Sequence, residues 1–183
     1  MKIVITGGAG YIGSHVVLAA LDRGYDVTVF DDLSTANKEN INLKTKFIEG
    51  SINLKDDLAK LFTNDNYDAV IHLAASKASG ESMLNPKKYT YNNIIGSLNI
   101  LMSCIDNNIK YFIFSSSAAV YGNPRYVPID EFHPLKPSNY YGYTKFSTEN
   151  SLEWFSKIHG IRYASLRYFN AAGFDIDKRI TGK

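Results

Sequence analysis

The sequence has a single cysteine, Cys104, so no internal disulfide can form, and a reducing compartment is expected. Its setting, NILMSCIDNN, reads as a helix and makes the thiol a buried structural one. Long apolar runs are missing too. The opening stretch, Ile3 to Ile5, is far too short for a signal-sequence core or a membrane span, and the chain is read as cytoplasmic. No charge of one sign dominates: the net charge is +2 and the lysines and arginines are scattered, which points away from nucleic acid and anionic membranes as partners. No GxSxG occurs, and His15, His72, His133 and His159 follow no pattern, so a Ser-His-Asp hydrolase has no support. No metal-ligand constellation is present either. Proline is scarce, at five residues, and four of them fall in NPRYVPIDEFHPLKP (123–137), which marks a loop.

What remains is an alternation. KIVIT (2–6), DVTVF (26–30), TKFIEG (45–50), DAVIHLA (68–74), KYFIFSSS (110–117) and IRYASLRYF (161–169) are short apolar runs rich in β-branched or aromatic residues, the pattern of buried strands. Between them lie helical patterns at 11–24, closed by Gly24, at 53–62, with Asn53 as an N-cap, at 86–107, with Pro86 in the first turn, and at 140–158, with Gly160 beyond the end. Near-continuous apolar strands separated by helices of this length make βαβ units, hence a parallel sheet covered on both faces. The expected fold is α/β, a Rossmann-type doubly wound sheet. The tail 171–183 carries neither a strong period nor a stop signal.

TGGAGYIG (6–13) joins the first strand to the first helix with glycines at 7, 8, 10 and 13. A bare glycine motif is weak evidence. Between a strand and a helix it allows the tight turn that brings backbone N–H groups up to a pyrophosphate. The second strand ends in Asp31 and Asp32, an acid at the distance suited to a ribose 2′-hydroxyl and hostile to a 2′-phosphate. No arginine stands nearby, so NAD is favoured over NADP. Capping a turn suits Asp32 better than Asp31.

The fifth strand ends in FSSSAAVYG (114–122), at the sheet edge where open α/β folds bind ligands. PSNYYGYTKFS (137–147) follows, and within it Tyr141 and Lys145 stand one helical turn apart on a common face. Thirteen tyrosines make one such spacing an expected coincidence. Placed beside a serine and a nicotinamide, however, the pair has chemical sense. An ammonium next to a phenol favours the phenolate, lowering a tyrosine pKa of about 10. The phenolate could then take a proton from a substrate hydroxyl. Tyr140 and Tyr143 default to packing or loop positions.

These segments, TGGAGYIGSH, VFDDLS, VIHLAASKASGES, NNIIGS, FSSSAAVYG, YYGYTK and LRYFNAAG, resemble the extended short-chain dehydrogenase/reductase family, and within it the branch acting on C4 of UDP-hexoses. The resemblance implies a domain over 1–170 that binds NAD and carries the catalytic trio Ser117, Tyr141 and Lys145. Residues 171–183 would be a tail leading toward a substrate domain this chain lacks. It implies cofactor contacts from Gly7, Gly10, Tyr11, Ile12 and Gly13 at the pyrophosphate, and from Asp31 and Asp32 at the adenosine ribose. Ser51 and Ile52 fall at the adenine, with Ser51 standing where the family usually has Asp. Leu73, Ala74, Ala75, Lys77, Asn92, Ser115 and Tyr168 complete the cofactor set, along with Tyr141 and Lys145 themselves. Lys77, Ser117, Tyr141, Phe169 and Asn170 would meet the UDP-sugar substrate. The implied reaction oxidises C4 to a ketone, turns the 4-keto sugar over and returns hydride to its other face. Related dehydratases carry an acidic pair just after the central Ser/Thr, where this chain has Ala118 and Ala119. That difference ranks epimerisation above 4,6-dehydration. Uronate decarboxylation and a non-catalytic NAD-binding module also stay open. A homodimer through the long helices is implied as well.

Overall fold

Among the described residues of the computed structural model, 1–63 and 65–180, six strands form one sheet. The order along the chain is β1 (Lys2–Thr6), α1 (Tyr11–Asp22), β2 (Asp26–Asp31), β3 (Lys46–Glu49), α2 (Lys55–Thr63), β4 (Ala69–His72), α3 (Ser79–Leu84), α4 (Pro86–Tyr89), α5 (Gly96–Asp106), β5 (Tyr111–Ser117), α6 (Tyr140–His159) and β6 (Arg162–Tyr168). Every neighbouring pair is parallel, in the order β3-β2-β1-β4-β5-β6. The sequence therefore crosses from one half of the sheet to the other between β1 and β4, and a crevice opens there at the strands' C-terminal ends.

Alternation along the strands sorts the core into two layers. Val4, Phe30, Val70, Phe112 and Phe114 pack under α2, α5 and α6, against Leu58, Leu61, Ile100, Leu101 and Leu152. Ile3, Ile5, Val27, Val29 and Ala69 face the other way, onto Val17 and Ala20 of α1. Cys104 lies in the first layer, fully buried, with its thiol pKa pushed up by burial. The helix ends follow local chemistry. The Asn139 side chain accepts from the Gly142 N–H at 2.8 Å and starts α6; Gly160, at φ 72°, ends it. Gly24, at φ 75°, follows α1 as expected.

Two expectations are corrected and one element is added. The second helix begins at Lys55, so Asn53 is not its cap; its amide instead donates to Asn92 at 3.0 Å. The segment 79–84 is helical although its six residues show no period. The pattern at 86–107 is one helical run interrupted by a π turn, Thr90–Ile95, between α4 and α5. The tail folds back on α1: Tyr11 donates its hydroxyl to the Gly173 carbonyl at 2.6 Å, and Arg179 pairs with Asp22 at 3.0 Å. Residues 181–183 of that tail lie outside the described residues.

Candidate functional site

The glycine turn is shaped by what cannot fit in it. A Cβ on Gly7, whose φ is +72°, would stand 2.6 Å from the Ala74 nitrogen, and one on Gly13 only 2.0 Å from the Gly7 carbonyl oxygen. The first closes the turn against the loop after β4; the second presses α1 onto the turn. A Cβ on Gly10 would meet only the Gly7 oxygen, at 3.3 Å, with open space otherwise. Gly10 is also the residue before α1, and no side chain caps that helix. Its first N–H groups, which include those of Tyr11 and Ile12, therefore have no side-chain partner and carry the positive end of the helix dipole.

Asp31 is 8% exposed at the end of β2. One carboxylate oxygen accepts from Ala9 N at 3.0 Å and the other from Leu33 N at 2.9 Å. Burial raises its pKa, and those two N–H groups hold it back. Asp32 accepts from the Ser34 N–H at 3.0 Å, the turn-capping role that suited it better. Ser51 accepts from Asn53 N at 3.3 Å, and its own N–H donates to Asp57 at 3.0 Å. Ile52 sinks its side chain into the core, so what it could offer a ligand is backbone.

On the far side of the crevice, Leu73 N donates to Thr6 O at 3.0 Å and ties the 73–75 loop to β1. Ser76 is held from the π turn by two successive residues: Asn92 donates to its hydroxyl at 3.0 Å, and Asn93 both accepts from its N–H at 2.8 Å and donates to its carbonyl at 3.0 Å. Asn93 also donates to Thr144 in α6 at 3.1 Å. Beneath them His72 is fully buried between Thr6 and Ser97, at 2.6 and 2.8 Å, and burial drives its pKa down to about 3.

Ser117, Tyr141, Lys77, Tyr168, Phe169 and Asn170 line one open cleft of about 280 Å³. Ala118 and Ala119, the positions where related dehydratases carry acids, line it as well, as do Ser79 and Asn139, which nothing in the sequence marks as cleft residues. Lys145 lies behind it, buried, with its ammonium donating to the Ser115 carbonyl at 2.8 Å and standing 4.9 Å over the Phe114 ring and 5.9 Å from that of Tyr141. Burial lowers its pKa to about 7. The Tyr141 pKa is raised by burial, and the neighbouring Ser117 hydroxyl opposes that rise. Burial outweighs that opposing effect. The Tyr141 backbone N–H is satisfied by Ser82 at 3.0 Å, another residue the sequence did not disclose. Asn93 and Ser97 had a legible signal, since both are polar residues on the buried stripe that continues to Ile100, Leu101 and Cys104. Tyr140 and Tyr143 stack on each other, in packing roles as expected.

The residues fit a dinucleotide. A turn that side chains would fill, an uncapped helix start and a strand-end carboxylate stand along one crevice, and the hydroxyl, phenol and ammonium stand beyond it. Among the described residues, no cluster of His, Cys, Asp or Glu could hold a metal ion, and no helix is long and apolar enough to cross a membrane.

Residues 3–181 match the NAD dependent epimerase/dehydratase family. The chain is 44% identical to UDP-glucose 4-epimerase of Lactobacillus helveticus over 180 residues, which is 98% of this chain and 54% of that protein. It is similar in structure to UDP-glucose 4-epimerase from Brucella ovis in complex with NAD, with a TM-score of 0.94 and 40% identity, covering 98% of this chain and 55% of that one. The enzyme of Thermotoga maritima, solved with UDP-glucose, superposes with a TM-score of 0.89 at 40% identity, covering 92% of this chain and 55% of that one. The chain thus spans about half the length of the curated relatives it matches.

Proposed function

The chain belongs to the NAD dependent epimerase/dehydratase family, so its cofactor is NAD, and on that premise we propose that it is the cofactor-binding and catalytic part of a UDP-glucose 4-epimerase. The observation that carries the reading is the cleft that Ser117 and Tyr141 line together with Lys77 and Asn170, with the Lys145 ammonium buried behind it. In this reading residues 1–170 form the cofactor domain, and the segment after it leads to a substrate domain.

NAD, when bound, supplies the acceptor for hydride from C4 of the sugar and its return. The chain's own part is positional and acid–base. The glycine turn and the start of α1 hold the pyrophosphate, Asp31 the adenosine ribose, and Lys145 the nicotinamide ribose. Ser117 orients the sugar 4-hydroxyl toward Tyr141, which takes its proton and later gives it back. The buried site disfavours both an isolated phenolate and an isolated ammonium, as the opposed pKa directions of Tyr141 and Lys145 indicate. Each charge favours the other, so the two titrate as a pair, and phenolate with ammonium becomes the accessible charged state. Lys77 and Asn170 meet the substrate diphosphate. Ala118 and Ala119 offer no acid for β-elimination, which favours epimerisation over dehydration.

A homodimer through the long helices is part of the proposal; Trp154 and Ile158 of α6 and Met102 of α5 are 63%, 67% and 45% exposed. A cytoplasmic location accords with the buried free thiol. The cleft stands open beside Phe169, so the 183-residue chain alone is expected to bind NAD and to turn over UDP-galactose poorly or not at all. A coupled assay of UDP-galactose to UDP-glucose, run with NAD binding on the same preparation, tests this. Absence of NAD binding would overturn the reading, and near-normal turnover by this chain would overturn the requirement for more protein around the cleft.

A further inference from the structure

Three serines end β5, and the site described above uses the outer two. Ser116 points to the α6 side, where its hydroxyl donates to the carboxylate of Glu149. Glu149 is 8% exposed and also accepts from Arg167 Nε at 3.1 Å and Nη2 at 2.8 Å. Arg167 lies directly across from Ser116 in the β5–β6 pairing, so the carboxylate bridges two adjacent strands and a helix. Burying a carboxylate is costly unless it is paired and hydrogen-bonded, and here it is both.

The spacing gives this pair its meaning. Tyr141, Lys145 and Glu149 follow one another at four-residue intervals along one face of α6. Lys145 meets the Ser115 carbonyl and Glu149 the Ser116 hydroxyl, while Tyr141 and Ser117 line the cleft together. The strand end is thus fastened to the helix at two successive turns, and the turn before them carries Tyr141 into the cleft beside Ser117. Only the Glu149 fastening both stands clear of the cleft and has its charge neutralised within the protein. Arg167 extends it further, donating to the Tyr121 hydroxyl at 3.2 Å; Tyr121 stacks with Phe169, which lines the cleft.

We propose that Glu149 is a positioning residue for the site: through Ser116 and Arg167 it sets the register between the end of β5 and α6 that brings Lys145 to the Ser115 carbonyl and Tyr141 to Ser117. The inference rests on the functional reading above for its importance, but its geometry can be tested without turnover. The probe is the titration of Lys145 in the full chain, followed through its ¹³Cε resonance and assigned with Lys145→Arg, alongside thermal melting and NAD affinity. Ser116→Ala removes the fastening while keeping the Glu149–Arg167 pair and the total charge. The expected result is a folded Ser116→Ala chain in which the Lys145 midpoint falls by about half a pH unit, because the ammonium loses a well-placed acceptor. Glu149→Gln is expected to lower it further. Unmoved midpoints in both folded variants would overturn the proposal. So would a rise toward the ordinary lysine value, which would mean that water had entered a loosened helix end. Failure of the wild-type chain to bind NAD would instead overturn the functional reading, while the Lys145 comparison still decides the role of Glu149.

Discussion

Gly10 and Gly13 share one turn, yet alanine at the first and alanine at the second should fail in different ways. At Gly13 a Cβ would stand 2.0 Å from the Gly7 carbonyl oxygen, far inside contact distance, and the atom it meets is backbone. Either α1 must lift from the turn or the turn must open. Overpacking of this kind costs up to about 3 kcal/mol, and about 1 kcal/mol returns from the better helix propensity of alanine. The net loss of about 2 kcal/mol corresponds to a Tm lower by about 4–8 °C in a chain of this size. At Gly10 the new methyl has room, its one close neighbour being the Gly7 oxygen at 3.3 Å. It would, however, occupy the space in front of the uncapped start of α1. Gly10→Ala should therefore melt within about 3 °C of wild type, since only an N-cap preference is lost. It should nevertheless bind NAD at least about tenfold more weakly, because the close approach to the pyrophosphate is gone. Thermal melting without ligand and calorimetric titration with NAD read the two effects separately. An unchanged Tm in Gly13→Ala, or undiminished NAD affinity in Gly10→Ala, would refute the reasoning.

Tyr141→Phe should keep NAD affinity and Tm while lowering turnover at least about 100-fold in any preparation that shows activity, as expected for loss of an acid–base group; comparable turnover in a coupled assay would remove Tyr141 from the role. Asp31→Asn should weaken NAD about tenfold and narrow its preference over NADP, since the carboxylate charge that repels a 2′-phosphate is gone; paired titrations with the two cofactors test it. For Lys145 the folded pKa, about 7, lies below the unfolded value of 10.5, so the folded state binds the proton less tightly. Its penalty on stability is in full force below pH 7 and lifts as pH rises toward 10.5, and wild-type melting should therefore gain on Lys145→Met between pH 7 and 10; parallel curves would contradict the buried amine.

The six strands were legible because each is a short apolar run with its own punctuation, and the described strands agree with those runs to within two residues at each end. The glycine turn and Asp31 were legible because their chemistry is local. Ser117, Tyr141 and Lys145 were legible only jointly, since each is common alone. What the sequence hid depends on partners far along the chain. Glu149 looks like any helix-surface acid until Arg167 and Ser116 fold around it. Ser82 gains its meaning only from the Tyr141 backbone N–H it accepts. The direction of the Tyr141 pKa depends on burial, a tertiary quantity that the sequence does not display. Segment 79–84 has too few residues to show a period, and TYNNII carries no composition that separates a π turn from an α turn.

That π turn has a consequence for how the sequence can vary. A π turn is an α-helix carrying one supernumerary residue, and it is what lets adjacent side chains, Asn92 and Asn93, reach the same loop residue. Deleting any one position in 90–95 would rewind the segment to α and rotate everything on one side of it by about 100°. Ser97 would swing off His72, and the buried stripe of α5 would turn toward solvent. Substitutions within the segment are local events, whereas a single-codon deletion there is a change of frame for the whole helix. In length, though not in identity, these six positions are among the least negotiable in the chain.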